Sequence, residues 1–578
     1  MADTKIIARS GDPGIDGLLY ALAWNGAVTY SVPRSAADYG IGYGDAAIDG
    51  FAALSATQVN ALACALDADG PLSIRAAAGF SVEGFTDLTV TASADGAGDI
   101  RAANCDGGDG TAYAYLPSQH PMGGDIWFET SGRSPVPGNY DHYAVLHEVG
   151  HALGLKHGHE TDDFGTLPRD IDATEFTVMS YRSDVQAPGL GLTFRSADSA
   201  PQTFMIHDIA ALQHIYGADF TTNAGDTHYA WKPDGTTWVD GDLAIDPAGS
   251  VILMSLWDGG GRDVYDFSAF GGGIAIDLAP GAASVLGAAQ TAYVGSGRDA
   301  GGSIYNAFQY QGDARSLIED AIAGAGSDRL SGNQADNRLE GGAGHDTILG
   351  LGGADRLLGG AGDDRIQAGV GHDVIRAGTG SDKVWGGGGQ DRVFLGRGDD
   401  VFRDSAQNGA NGADAVKGGA GQDRLLGRGG ADRLYGGSGN DLLQGGTGDD
   451  RLLGGGGADR LCGGQGRDVF VFTAPGQSAP GAADRIIGAS RQAAFDAPGA
   501  ALGDLIDLRG IDANAARSGD QAFVLGKSGA GGVRLFDAGR DTVLRGNVDA
   551  DATWELEIRI RDGASISAKD YTIDDFLL

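Results

Sequence analysis

The chain has 578 residues, 101 of them Gly, and a net charge of −37. Only 9 of its 78 acidic residues are Glu, leaving 69 Asp, a residue that forms helices poorly but serves well in turns and as a cation ligand. This balance excludes a basic nucleic-acid footprint and points to bound cations; the 42% hydrophobic content excludes wholesale disorder, and no apolar run approaches the ~18 residues of a membrane-spanning helix.

The length predicts two to four domains. Met1–Asp16 lacks the apolar segment of a secretory signal. Leu18–Trp24 reads as a helix and Ala27–Ser31 as a strand. Ala53–Leu66 has helical spacing, Ser81–Ala94 has strand-like content, and Gly123–Phe128 is a short strand. Asn139–Leu155 is the best helix of the chain, with Asn139 as its N-cap and apolar residues at Tyr143, Leu146 and Val149. The three cysteines, Cys64, Cys105 and Cys462, are too few and scattered for a disulfide framework; one pair could bridge, with three free thiols the default expectation.

That helix carries the sharpest chemical signal. His147 and His151 stand at i and i+4 on one helical face, where they can share a zinc ion. Glu148 is placed to reach a metal-bound water without being a ligand. Gly154 can end the helix in a left-handed turn and return the chain so that His157 becomes a third ligand. Three protein ligands leave one position open, the arrangement of a catalytic zinc. His159 could compete as third ligand, but its spacing from Gly154 is wrong. Downstream, Thr177–Tyr181 is a tight turn bearing Met179, which after the extended histidine motif fits a Met-turn. The remaining histidines, among them His120, His142, His207, His214 and His228, read as packing or surface residues.

From about residue 323 a nine-residue period takes over. Asp recurs at 346, 355, 364, 373, 382, 391 and 400, with Asp328 and Asn337 on the same grid. The phase breaks across 401–413 and resumes at Asp414, 423, 432, 441, 450, 459 and 468. Two residues after each Asp stands an apolar side chain, from Ile348 to Phe470. The unit is G-G-x-G-x-D-x-U-x, with U a bulky apolar residue. Its glycines permit a tight turn with bare carbonyls, its Asp supplies hard oxygen, and its apolar residue points inward from a very short strand. Two units make one turn of a parallel β-roll. Calcium suits such irregular oxygen cages better than magnesium. A flexible linker would keep no apolar residue in register. After Phe472 the period stops, and strand-like runs alternate with Gly and Asp turns to the final Asp574–Leu578.

The zinc helix, the Met-turn with its Tyr and the C-terminal calcium repeats together resemble the serralysins, secreted bacterial metalloendopeptidases of the metzincin clan. The segments Asp16–Gly26, Ser35–Gly40, Gly123–Phe128, Asp208–Ala218, Leu256–Ser268 and Ile318–Asp328 look like family segments as well. The resemblance implies an α+β metzincin-type zinc protease domain followed by an all-β region, a parallel roll of RTX nonapeptide repeats with a β-sandwich-like cap. It divides the chain into a short propeptide (1–20), the protease domain (21–250), a β-rich junction (251–322), the roll (323–472) and a C-terminal β domain carrying a secretion signal (473–578).

Residue by residue, it implies one catalytic zinc on His147, His151 and His157, Glu148 as general base, and Tyr181 as a flexible ligand that swings away to stabilise the oxyanion. Calcium would lie on Asp346, Asp355, Asp364, Asp373, Asp382, Asp391, Asp423, Asp432, Asp441, Asp450 and Asp459, and also on Asp258 and Asp263. Gly123–Phe128 would pair with extended substrate. Protein substrates, a type I secretion transporter, a proteinaceous inhibitor, an extracellular location and a monomeric state follow from the same resemblance. The rival expectations are a calcium-dependent surface-binding protein with an inactive protease domain, or a narrow-specificity toxin protease. Gly158 departs from the Pro that the family often has after the third His, and the roll is longer than usual.

Overall fold

The computed structural model describes residues 2–40, 43, 48, 50–69, 75–106, 111–187, 189–194, 198–405, 412–488, 494–499, 503–515, 519–549, 551–563 and 566–578. They form two compact units, Met1–Gly324 and Ala325–Leu578.

The first unit is built on a five-stranded sheet in the order Val90–Ala92, Val28–Ser31, Ile100–Asn104, Ile126–Phe128, Ala112–Ala114. The first four strands run parallel and the last is antiparallel. Helices Ala56–Leu66, Tyr140–Ala152 and Ile206–Tyr216 share one core with the sheet, through residues such as Leu62, Leu66, Leu146, Val149 and Leu212. Ser55 and Gln58 start the first of these helices reciprocally: Gln58 N–H donates to Ser55 Oγ and Ser55 N–H to Gln58 Oε1 (3.3 and 2.9 Å).

Three local readings change. Leu18–Trp24 is no helix; the helix is Pro13–Asp16, and Leu22–Asn25 is a strand paired with Asp3–Ile6. Tertiary contacts override helical content here, because Leu18 C=O accepts from Lys156 N–H and Tyr20 N–H donates to Gly154 C=O (2.8 and 3.0 Å). Leu18 and Leu19 are completely buried. Ser81–Ala94 opens as a short helix, Val82–Phe85, which Ser81 caps by accepting from Gly84 N–H (3.1 Å), before the strand Val90–Ala92. The strand in Gly123–Phe128 is an inner one, hydrogen-bonded on both sides; the outer strand is Ala112–Ala114.

In the second unit, two stacks of short parallel strands face each other. Along one stack Leu339 pairs with Leu357, Leu357 with Ile375 and Ile375 with Val393; along the other Ile348 pairs with Ile366 and Ile366 with Val384. Each partner is two nonapeptides away, so one turn is 18 residues, and every one of these side chains is buried. The strands alternate apolar-in and polar-out, as period-2 geometry requires. At the second glycine of the unit the backbones of adjacent turns nearly touch. Gly360 has φ 113°, and a Cβ on it would lie 1.9 Å from Gly342 O.

The break in the period does not interrupt the roll. Val401–Arg403 pairs on both sides, and Val393 pairs with Val416, 23 residues on, so five residues are surplus to one turn. Residues 406–411 of that break lie outside the described residues. The stacks also continue past Phe472. Leu461 pairs with Ile486 and Ile486 with Ile560; Phe470 pairs with Ile506 and Ile506 with Phe576.

Replacing the inward Leu443 by Ala in the calcium-loaded protein is expected to cost about 2–5 kcal/mol in a denaturant titration. Leu442→Ala, on the outer face, should cost less than half as much. Equal losses would overturn the inward–outward assignment.

Candidate metal centre

Helix Tyr140–Ala152 starts where Asn139 Oδ1 accepts from His142 N–H (2.8 Å). Its last carbonyls are satisfied from outside, Ala152 O by Trp24 Nε1–H and Leu153 O by the Tyr216 hydroxyl (2.9 and 2.7 Å). Gly154, at φ 103°, reverses the chain as its spacing predicts. Lys156, almost wholly buried, then donates to the carbonyls of Gly17, Glu160 and Gly165 at 3.0, 2.8 and 2.7 Å, which fixes the loop carrying His157.

Three imidazoles meet beyond this turn. His157 Nε2 lies 3.1 Å from His147 Nε2 and 3.0 Å from His151 Nε2. The opposite nitrogen of each ring faces a pure acceptor: His147 Nδ1 faces Val178 O (2.7 Å), His151 Nδ1 faces Leu155 O (2.8 Å) and His157 Nδ1 faces Glu160 Oε1 (2.8 Å). Each Nδ1 therefore carries the proton, and each Nε2 presents a lone pair. Burial and the neighbouring imidazoles hold all three below the ordinary histidine range, to about 4 at His151. Three neutral lone pairs converging on one point fit zinc. His159 stays outside this cluster; its ring lies 5.4 Å from those of His157 and Tyr181.

Glu148 stands beside the cluster. Its Oε2 is buried without a hydrogen-bond partner, and burial pushes its carboxyl up to about 8. Tyr181, 38% exposed, stacks 5.5 Å from the His147 ring and lies tilted 4.3 Å from the His157 ring. Burial, then the Glu148 charge, raises its hydroxyl to about 12.

The Met-turn forms the floor. Met179 is completely buried, and a Cβ on Gly150 would lie 2.5 Å from its Sδ, so the helix needs glycine there to pass over the sulfur. Asp208 holds the turn: it accepts from the Thr177 hydroxyl, from Val178 N–H (2.8 Å) and from Met205 N–H (2.9 Å). Burial raises this carboxyl to about 7. The supporting roles of Glu160, Lys156 and Asp208 escaped sequence reasoning, because none is a ligand position of the metal motif; Asp208 was visible only as the first residue of the family-like segment Asp208–Ala218.

The other predicted cation ligands fall into two places. Asp258 and Asp263 lie together in the first unit. Asp258 accepts from the Tyr229 hydroxyl and Gly260 N–H (2.6 and 2.7 Å), and Asp263 from Thr227 N–H (2.8 Å). Burial, and at Asp258 the charge of Asp263, raises both carboxyls above the ordinary carboxylate range.

The repeat aspartates form two ladders, one along each stack of strands. In each of Asp346, Asp355, Asp364, Asp373, Asp382, Asp391, Asp423, Asp432, Asp441, Asp450 and Asp459, Oδ1 accepts from the backbone N–H of the grid residue one turn earlier, at 2.8–3.0 Å. Asp484 extends one ladder and Asp504 the other beyond the nonapeptide grid, accepting from Asp459 and Asp468 N–H at 2.9 Å. No period marks those two in the sequence. The second oxygen of Asp346, Asp364, Asp382, Asp423, Asp441 and Asp459, among others, is buried with no hydrogen-bond partner. Burial and neighbouring aspartates raise these carboxyls, to about 7 at Asp364 and about 8 at Asp450. A buried file of unpaired acceptor oxygens fits a hard divalent cation.

Glu160→Ala is expected to weaken zinc binding about 10- to 100-fold in competition with a chromophoric chelator; unchanged affinity would remove its orienting role. Excess calcium chelator should abolish the β signal of the second unit in circular dichroism, and an unaltered spectrum would overturn the cation reading.

The chain is similar to known proteins in its repeats and in a further part of its length. The family described as the RTX calcium-binding nonapeptide repeat matches residues 322–357, 349–384, 367–402, 408–443 and 435–470. A serralysin of Proteus mirabilis is 34% identical over 257 residues, covering 42% of this chain and 47% of that protein. Metalloprotease AprA of Pseudomonas entomophila is 33% identical over 262 residues, covering 42% and 48%. A solved subunit of the Azotobacter vinelandii mannuronan C5-epimerase is 21% identical, covering 32% of this chain and 77% of that one, at a TM-score of 0.16, too low to carry an argument. The chain spans about half the length of the curated relatives it matches: those relatives are serralysin-type metalloproteases, and the repeats of this chain are of the RTX calcium-binding kind.

Proposed function

We propose that the chain is a secreted, calcium-stabilised zinc metalloendopeptidase that hydrolyses peptide bonds within proteins. The observation that carries this reading is the convergence of three imidazole lone pairs, with His157 Nε2 3.0–3.1 Å from the Nε2 atoms of His151 and His147, beside the partnerless Glu148 Oε2. His147, His151 and His157 would hold the zinc and leave a coordination position open. Zinc, when bound, supplies Lewis-acid polarisation of the scissile carbonyl and of water. Glu148 Oε2 takes the proton of the attacking water and delivers it to the leaving amide nitrogen. The half-exposed Tyr181 hydroxyl donates to the carbonyl oxygen as negative charge develops there.

The substrate backbone would be held along Ala112–Ala114, the outermost strand of the sheet among the described residues, rather than along Ile126–Phe128. Asp258, Asp263 and the ladder aspartates are read as calcium ligands that stabilise the two units. The relatives' printed names, serralysin and metalloprotease, support protein substrates. The resemblance supports export by a type I transporter with the roll unfolded at low calcium. Calcium outside the cell would then drive its folding.

The test is cleavage of a denatured, fluorescence-quenched protein by the calcium-refolded chain. Glu148→Ala should lower turnover about 10²- to 10⁴-fold with zinc retained. Tyr181→Phe should lower turnover more than zinc content. A wild-type chain that holds one zinc and cleaves nothing would overturn the proposal.

A further inference from the structure

The five surplus residues of the roll enter just after strand Val401–Arg403, and their first residue is an aspartate. Asp404 N–H donates to Leu426 O (3.0 Å), which keeps its backbone in the stack. Its side chain turns into the cation file: Asp404 Oδ1 accepts from Gly387 N–H (3.2 Å). There it meets two ladder residues, Asp391 and Asp414, each of which accepts one backbone N–H from the preceding turn (3.0 and 2.9 Å). Among the described residues this is the one place along the roll where three carboxylates offer oxygens within 4.8 Å of one another.

The second oxygen of all three, Asp391, Asp404 and Asp414, is buried with no hydrogen-bond partner, and each residue is at most 4% exposed. Glycine at 386 leaves the space open, for a Cβ there would lie 2.6 Å from Asp391 Oδ2 and 3.1 Å from Asp404 Oδ1. Three buried carboxylates without a counter-charge do not stay ionised together unless a cation joins them. Oxygen-only donors in an irregular cage suit calcium, and calcium affinity rises with the count of ligand charges.

We propose that Asp391, Asp404 and Asp414 form a calcium site of a different kind from the nonapeptide sites, with its third carboxylate supplied from outside the repeat, and that it is the first site on the roll to fill. The surplus segment thereby turns a break in the period into the strongest cation seat of the second unit. This inference rests on the calcium reading of the repeats and is independent of peptidase activity.

Trp385, next to Gly386, is the one tryptophan between residues 325 and 553 and makes the site visible. The full-length chain, freed of calcium, is titrated with terbium, and emission excited through tryptophan is recorded for wild type and Trp385→Phe. At the first equivalents wild type should exceed Trp385→Phe several-fold. Asp404→Asn should fall to the Trp385→Phe level, while Asp441→Asn, at an ordinary ladder position, should not. No early difference between wild type and Trp385→Phe overturns the proposal without any Asp404 variant. Persistence of early emission in Asp404→Asn, or equal loss in Asp441→Asn, overturns it as well. If the roll bound no calcium at all, its β signal would ignore calcium in every variant, which separates that failure from this one.

Discussion

The second unit depends on one unfavourable arrangement: carboxylates stacked in file, each with one oxygen satisfied by a backbone N–H and the other buried and unsatisfied. The hydrogen bond to the neighbouring turn fixes the aspartates in register, and the same register brings their charges together. A thin core of single aliphatic side chains lies between the stacks and is too slight to override that repulsion. Divalent cations resolve the conflict, and the excess of Asp over Glu follows, since only the shorter side chain reaches its neighbour's N–H while leaving its second oxygen in the file. The charge of −37 thus belongs to a chain that is incomplete without its ions.

The first unit gathers neutral imidazoles where the second gathers carboxylates. Each histidine of the triad is held in one tautomer by an acceptor from a different part of the chain: Val178 O in the Met-turn, Leu155 O after the helix, and the Glu160 carboxylate in the following loop. The three lone pairs are therefore set by backbone geometry as much as by the spacing of the motif. Asp208 couples the turn beneath them to the start of helix Ile206–Tyr216, and Lys156 ties the loop carrying His157 to the N-terminal segment. Preorganisation of this kind keeps a metal centre rigid before any ion arrives.

Much of this was legible from residue spacing. The histidine motif, its N-cap at Asn139, the reversal at Gly154 and the inward column from Ile348 to Phe470 all obey local rules whose periods are written in the chain. Tertiary partners were not legible. Leu18–Trp24 has the content of a helix but is held extended by backbone bonds to residues 154 and 156. The order of strands that puts Ala112–Ala114 at the sheet edge has no local signature. Asp484 and Asp504 perform the same task as the repeat aspartates after arriving through spacings of 25 and 36 residues. A search for periods finds a ligand only where the chain returns on schedule.

The 18-residue turn has a consequence for how such a chain can change length. The nonapeptide is the unit of spelling, but successive nonapeptides lie on opposite sheets, so the structure has a parity. Loss or gain of one nonapeptide would send every later strand to the other face and move each later aspartate to the opposite cation file. Loss or gain of two would shorten or lengthen the roll by one turn and leave everything else in place. The break after Arg403 respects this rule: Val401–Arg403 stays in one stack and Ala415–Ala420 joins the other, so the alternation of sheets is kept across the surplus residues. Growth and trimming of the roll are thereby confined to even steps, and any odd event has to be absorbed as a loop.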